Sequence, residues 1–307
     1  MRRTTALKAI QLFVMSTIAL AIIVGISSIL PGNVHASQSA ARGKEPSSQF
    51  VKLDDVRVHY RSYGKAGNSA LVFIHGWTCH MGFWRSQIPA FSDKVRVIAI
   101  DLPGHGQSDK PQIAYTMDLF ARAIDVVLRD AGVTKAVLAG HSMGVPVIRQ
   151  FYRKYPEKSL ALVLVDGSLR PFGDKKMMET FIAPLRGPNY KEVATSFIQG
   201  MLGSVSPALQ DEIKGSMLST PQHVAVSAME GMAEPEIWTQ DKIKVPTLAV
   251  LAKSPFWPPD NEQFMKGIAP HLDYHMWDGV SHFLMMEKPT EFNSVVSAFL
   301  AKNNLLQ

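Results

Sequence analysis

Ala136-Val137-Leu138-Ala139-Gly140-His141-Ser142-Met143-Gly144 runs straight into Val145 to Tyr155. The four leading apolar residues read as a short buried strand, and the apolar residues at three-and-four spacing from Met143 to Tyr155 read as an amphipathic helix. Between the two stands a serine with a glycine two residues away on either side. A strand that turns into a helix within so few residues brings its backbone against the helix, and glycine alone leaves room there. The serine is thereby held on a tight turn beside the amide-rich, electropositive end of a helix. Gly-x-Ser-x-Gly occurs by chance in isolation; with a strand before it and a helix after it, the pattern marks an activated nucleophile, Ser142.

Working outward, strand-like apolar runs alternate with helical patterns. The strands read at Val56 to Tyr63, Ala70 to Ile74, Val95 to Ile100, Ala136 to Ala139, Leu160 to Val165, Thr247 to Leu251 and Asp273 to Trp277. The short, nearly continuous ones suit buried parallel strands. Helical spacing recurs at Met117 to Ala131, Met143 to Tyr155 and Pro289 to Asn303, giving an α/β sandwich. The alternation stops between Ser168 and about Gln240, where helical patterns occur without a convincing strand. A structureless loop of that length is improbable, so this region reads as a helical cap inserted between late strands. Its methionines (Met177, Met178, Met201, Met217, Met229, Met232) either line an adaptable apolar surface or fill the cap's own core. The expected divisions are 1–36, 37–49 as linker, 50–167 as the first part of the core, 168–240 as cap and 241–307 as the second part of the core.

Two segments far from the serine complete the chemistry. His75-Gly76-Trp77 follows the strand Ala70 to Ile74, and its glycine lets backbone approach a bound carbonyl oxygen. The amides of Trp77 and Met143 are the candidate oxyanion donors. Gly279-Val280-Ser281-His282-Phe283 follows the last strand, which puts His282 on a loop able to face the serine as general base.

Together with Asp101-Leu102-Pro103-Gly104-His105-Gly106-Gln107-Ser108, these motifs resemble the α/β-hydrolase fold superfamily from about Phe50 to the C-terminus, the cap region apart. The resemblance implies a mostly parallel eight-stranded sheet flanked by helices and the chain order nucleophile, acid, histidine. It is closest to capped esterases, cofactor-free haloperoxidases and carbon-carbon bond hydrolases. Serine at the elbow separates the chain from the dehalogenase and epoxide-hydrolase branches, which use aspartate there. The pattern breaks at the acid. Family members place it just beyond the strand after the cap, where this chain has Pro255. Asp166, at the end of Leu160 to Val165 and at the alternative acid position of some family members, is the first candidate. It sits at the strand edge where ligands gather in open α/β sheets, although Asp-Gly also caps turns. Asp260 is the rival if the proline-rich loop folds back, and a site lacking any carboxylate partner is the third possibility.

The remaining candidates are secondary. His75, Gly76, Phe83 and Trp257, with Trp77, Trp84 and Phe256, are placed by sequence around an apolar acyl or aryl pocket, or else in the core. His141 reads as packing the site, His105 as structural, and the lone Cys79 as packing. His271 and His275 flank a strand with no accompanying carboxylate motif, so neither metal nor other cofactor is expected.

Composition sets the outer limits. The chain has 307 residues, 46% hydrophobic and 19% charged, which excludes disorder, and one cysteine excludes an intramolecular disulfide framework. The net charge of +6 is half N-terminal, from Arg2, Arg3 and Lys8. These precede the charge-free Ala9 to Leu30, then Pro31-Gly32 and Val34-His35-Ala36, as in a secretory signal cleaved after Ala36 or, uncleaved, a membrane anchor. The body then carries only +3, and nucleic acid drops out as a partner. The expectation is an exported, periplasmic or extracellular, cofactor-free serine hydrolase taking a small or medium apolar ester, lactone or related acyl substrate, with perhydrolysis as a close variant. The expectation from a different class is a ligand-binding or receptor protein on the same fold, with weakened or lost catalysis.

Overall fold

The structure, a computed structural model, describes residues 46–203 and 205–306. Residues 1–36, read as signal or anchor, and most of the linker lie outside the described residues.

Eight strands form one sheet: β1 (Gln49–Leu53), β2 (Val56–Tyr63), β3 (Ser69–Ile74), β4 (Val97–Asp101), β5 (Lys135–His141), β6 (Ser159–Val165), β7 (Thr247–Ala252) and β8 (Leu272–Trp277). Their order is β1-β2-β4-β3-β5-β6-β7-β8, antiparallel from β1 to β4 and parallel beyond. Strands β4 and β7 are buried along their whole length, and β3, β5 and β6 nearly so. Burial on both faces is why these segments are continuously apolar rather than alternating. β1 was not anticipated as a strand. It is a five-residue edge strand with only Leu53 buried, so it lacks the apolar run by which the others were found.

Helices α1 (Ile88–Ser92), α2 (Met117–Asp130) and α3 (Gly144–Lys154) lie in the first part of the chain. Thr116 caps α2 by accepting the Leu119 amide, and the helix buries a continuous stripe including Phe120, Ile124 and Val127. Between β6 and β7 the described residues form helices and no strand: α4 (Lys175–Ile182), α5 (Tyr190–Leu202), α6 (Pro207–Met217) and α7 (Gln222–Ala233). Met217, Met229 and Met232 fill this region's interior, whereas Met177 is exposed. After β7 come α8 (Asn261–Ile268), α9 (Leu284–Glu287) and α10 (Pro289–Lys302).

Connectivity places the site. The chain passes from β3 outward to β4 and then returns across β3 to β5, so the strand order reverses at β3 and β5. Loops on either side of such a switch leave a crevice at the carboxyl ends of the strands. Ser142, Gly76 and Asp166 all follow strands at that edge.

Candidate active site

β5 ends at His141 and α3 begins at Gly144, leaving two residues to reverse direction. Ser142 takes a left-handed conformation, with φ of 54°, its amide donating to the Val165 carbonyl at 2.9 Å. Such a conformation costs a non-glycine residue about 1–3 kcal/mol and survives only where the surroundings impose it. Here they do: a Cβ on Gly140 would lie 2.3 Å from the Gly144 carbonyl oxygen, and one on Gly144 would lie 2.7 Å from that of Ile74. The two glycines let strand, turn and helix close on one another. No side chain caps the start of α3; the Val145 amide donates to the Ser142 carbonyl at 2.9 Å, which closes the turn onto the helix.

Asp166 follows β6 and, like Ser142, has positive φ, at 41°. Its amide donates to Val250 at 2.9 Å, its Oδ1 accepts the Ala252 amide at 2.8 Å, and its Oδ2 lies 2.6 Å from His282 Nδ1. The carboxylate is buried and held by the neighbouring strand before it meets the imidazole. An acceptor at Nδ1 puts the histidine proton there and leaves the Nε2 lone pair as the basic end of the ring. The rival acid is elsewhere. Asp260 is 60% exposed and pairs with Arg170 at 3.2 Å. The loop before it closes on itself, Trp257 donating to the Ser254 carbonyl at 3.1 Å, and runs into α8 instead of folding back over His282.

The turn after β3 lies directly on the elbow: a Cβ on Gly76 would be 3.1 Å from both Ser142 Cβ and His141 Nδ1. Among the described residues neither the Trp77 nor the Met143 amide donates to a protein acceptor, so both remain available to an oxyanion. The Trp77 indole donates to the Ala225 carbonyl at 2.8 Å and meets Phe197 edge-on at 5.5 Å, tying the turn to α7 and α5. Phe181 continues this aromatic row, 4.7 Å from Phe197.

Several sequence assignments change. His75 is fully buried, its Nδ1 donating to the Gly76 carbonyl at 2.8 Å and its Nε2 accepting the Leu102 amide at 3.0 Å. It braces the oxyanion turn instead of lining a pocket, and burial pushes its pKa down to about 4. Phe83 is also core, buried behind the histidine loop 5.9 Å from Phe283. Trp257 is half-buried, its indole held by the Ala252 carbonyl at 2.9 Å. Burial pushes the Cys79 thiol pKa up, keeping it protonated. His275 lies 3.1 Å from Asp273, and no cluster of metal-ligating side chains occurs among the described residues.

Sequence reasoning missed two contributors. The Ala252 amide could not be seen, because a backbone donor has no residue signature. Arg149, in the buried face of α3, was read as part of an amphipathic helix, yet it donates to Leu169 at 2.9 Å and also to Thr239, at the two ends of the helical insertion.

A serine on a strand-to-helix elbow, a histidine and carboxylate in contact, and free amides at the carboxyl edge of a parallel sheet define a hydrolase of α/β architecture. The chain belongs to the alpha/beta hydrolase fold family, whose model matches residues 69–289. Along nearly the whole of its length it is similar to 3-oxoadipate enol-lactonase 2 of Acinetobacter baylyi, 24% identical over 261 residues that cover 83% of this chain and 97% of that one. Epoxide hydrolase 1 of Caenorhabditis elegans is 38% identical over 112 residues, 36% of this chain, and that match spans only 28% of the relative's own length. Among solved structures, Est816, described as an N-acyl homoserine lactone degrading enzyme, superposes with a TM-score of 0.71 at 25% identity, covering 82% of this chain and all of that one.

Proposed function

We propose that the protein is an exported serine hydrolase that cleaves a small or medium apolar carboxylic ester or lactone through an acyl-enzyme. The observation that carries this reading is the 2.6 Å contact between His282 and Asp166 beside the Ser142 elbow. Ser142 Oγ attacks the substrate carbonyl carbon while His282 Nε2 takes its proton, and Asp166 stabilises the resulting imidazolium. Charge that develops on the carbonyl oxygen meets the Trp77 and Met143 amides. Collapse breaks the acyl carbon–oxygen bond, and His282 returns the proton to the leaving oxygen, which stays tethered if the substrate is a lactone. Water then attacks the acyl-enzyme, giving its proton to His282; the carboxylic acid departs and Ser142 regains its proton.

The helices between β6 and β7 exclude water and choose the substrate. The row Trp77, Phe197 and Phe181 suits an apolar acyl group, and the names of the relatives, enol-lactonase and lactone-degrading enzyme, agree with oxygen esters. The alternative of a non-catalytic binding protein rests on Pro255 standing where the acid is expected after β7; the contact of Asp166 with His282 favours the hydrolase reading. Fluorophosphonate labelling and p-nitrophenyl ester hydrolysis test the proposal: wild type is labelled and turns over, and Ser142→Ala does neither. A folded wild type inert in both assays overturns it.

A further inference from the structure

His141, the second residue of the elbow pentapeptide, has no part in the reaction just described, and yet it touches both the histidine loop and the Gly76 turn. Its ring is buried, with Nε2 2.9 Å from the His282 carbonyl oxygen. A carbonyl only accepts, so Nε2 carries the proton and donates. The ring lies 4.7 Å from the His282 ring and 5.4 Å from that of Phe283. On the other side, the Gly76 turn packs against Nδ1, at 3.1 Å from where a Cβ would stand.

Nδ1 is buried and has no hydrogen-bond partner. A phenylalanine or methionine would fill this space without leaving a nitrogen unsatisfied, so packing alone does not account for a histidine. The donor at Nε2 does. The histidine loop is otherwise tied at this point by the His282 amide to the Met201 carbonyl at 3.3 Å, a contact with the helical insertion, not with the sheet. The bond from His141, the last residue of β5, fastens the His282 backbone to the strand that leads into Ser142.

We propose that His141 is a positioning residue: its Nε2–H holds the His282 backbone in the register at which the imidazole meets Asp166 on one side and Ser142 on the other. Its ring must stay neutral to serve. Burial drives its pKa well below the ordinary histidine value, and the two other imidazoles that face it, His282 from the loop after β8 and His75 from the end of β3, oppose a positive charge further. A neutral ring also places no second cation beside the imidazolium that forms on His282 during turnover. The inference rests on the hydrolase reading, though its geometry does not.

The experiment compares wild type, His141→Phe and His141→Gln. Phenylalanine keeps the volume and loses the donor; glutamine carries an amide N–H at a similar reach. Three quantities are read: kcat and KM for p-nitrophenyl butyrate, the downfield proton resonance of His282 Nδ1–H, assigned by its loss in Asp166→Asn, and the thermal midpoint. His141→Phe is expected to lower kcat about tenfold or more with KM changed less than about twofold, and to broaden or shift the resonance, whereas His141→Gln recovers kcat to within about threefold of wild type and restores the signal. A His141→Phe enzyme with wild-type kcat and resonance overturns the proposal, as does a glutamine variant no better than phenylalanine. If His141→Phe does not fold, His141→Met takes its place under the same criteria. Should wild type show the resonance but neither labelling nor turnover, the hydrolase reading fails, and the resonance in the variants still decides the role of His141.

Discussion

Asp166 is held beside His282 because β6 and β7 are parallel neighbours: Val165, the last residue of β6, pairs with Val250, and Asp166 lies against the final residues of β7. An acid on either strand end would be near the loop that descends from β8. Pro255 occupies the usual place, and the next strand supplies the carboxylate. Asp166→Asn is expected to lower kcat/KM about 10⁴-fold, since an amide cannot favour the right histidine tautomer or offset the imidazolium charge. Asp260→Asn should change it less than about twofold, its carboxylate being exposed and directed at Arg170. Steady-state kinetics on both variants, with circular dichroism to verify folding, decide the matter; equal losses would refute the assignment. The serine and histidine were readable because their neighbours in sequence are diagnostic. The sequence narrows the acid to Asp166 ahead of Asp260 without deciding between them, because the partner of Asp166 is 116 residues away and nothing local distinguishes it from a turn-capping aspartate.

Among the elements, α3 does two jobs. Its first turn completes the elbow, and two arginines on it hold both ends of the helical insertion. Arg149 donates to Leu169 and Thr239, and Arg153 donates to Ile237 at 2.8 Å, to Thr239 at 2.8 Å and to Asp241 at 2.7 Å. Arg149 is buried, and its pKa, pushed down to about 10 by burial, still leaves it charged at neutral pH. Replacing it leaves the buried Leu169 without this donor and removes one of the two arginine contacts to Thr239, loosening both connections at once. Arg149→Met is expected to cost about 3 kcal/mol in urea unfolding and to speed proteolytic cutting between residues 168 and 245. Unchanged stability together with unchanged cleavage there would rule out the clamp. The helical character of this insertion was visible as spacing, but the clamp was not: an arginine on a helix reads as solvent-exposed until its partners are known.

For the molecule as a whole, buried histidines couple stability to pH. Burial pushes His75 down to about 4 and His105 to about 3, from an ordinary value of 6.5. Between the folded and unfolded values the unfolded chain binds more protons, so stability falls as pH drops below about 6.5 and is fully present above it. At pH 5 each of these two histidines should cost about 2 kcal/mol relative to pH 7.5. Urea unfolding at the two pH values measures the loss; equal stabilities would mean that these rings are not held neutral by the fold. The proposed export carries its own prediction: intact mass spectrometry of the protein recovered outside the cytoplasm should give a chain beginning at Ser37, and a full-length mass in the membrane fraction would identify an anchor instead. The α/β class, seven of the eight strands, the helices α2, α3 and α10, and the candidates Ser142 and His282 follow from local pattern, because strand burial, helical amphipathicity and a tight glycine turn are written in residues close together in the chain. The contact of Asp166 with His282, the bracing role of His75, the burial of Phe83 and the grip of Arg149 depend on contacts between segments tens to more than a hundred residues apart. Those arise only when the strands are set side by side, and no short stretch of chain contains the information that sets them.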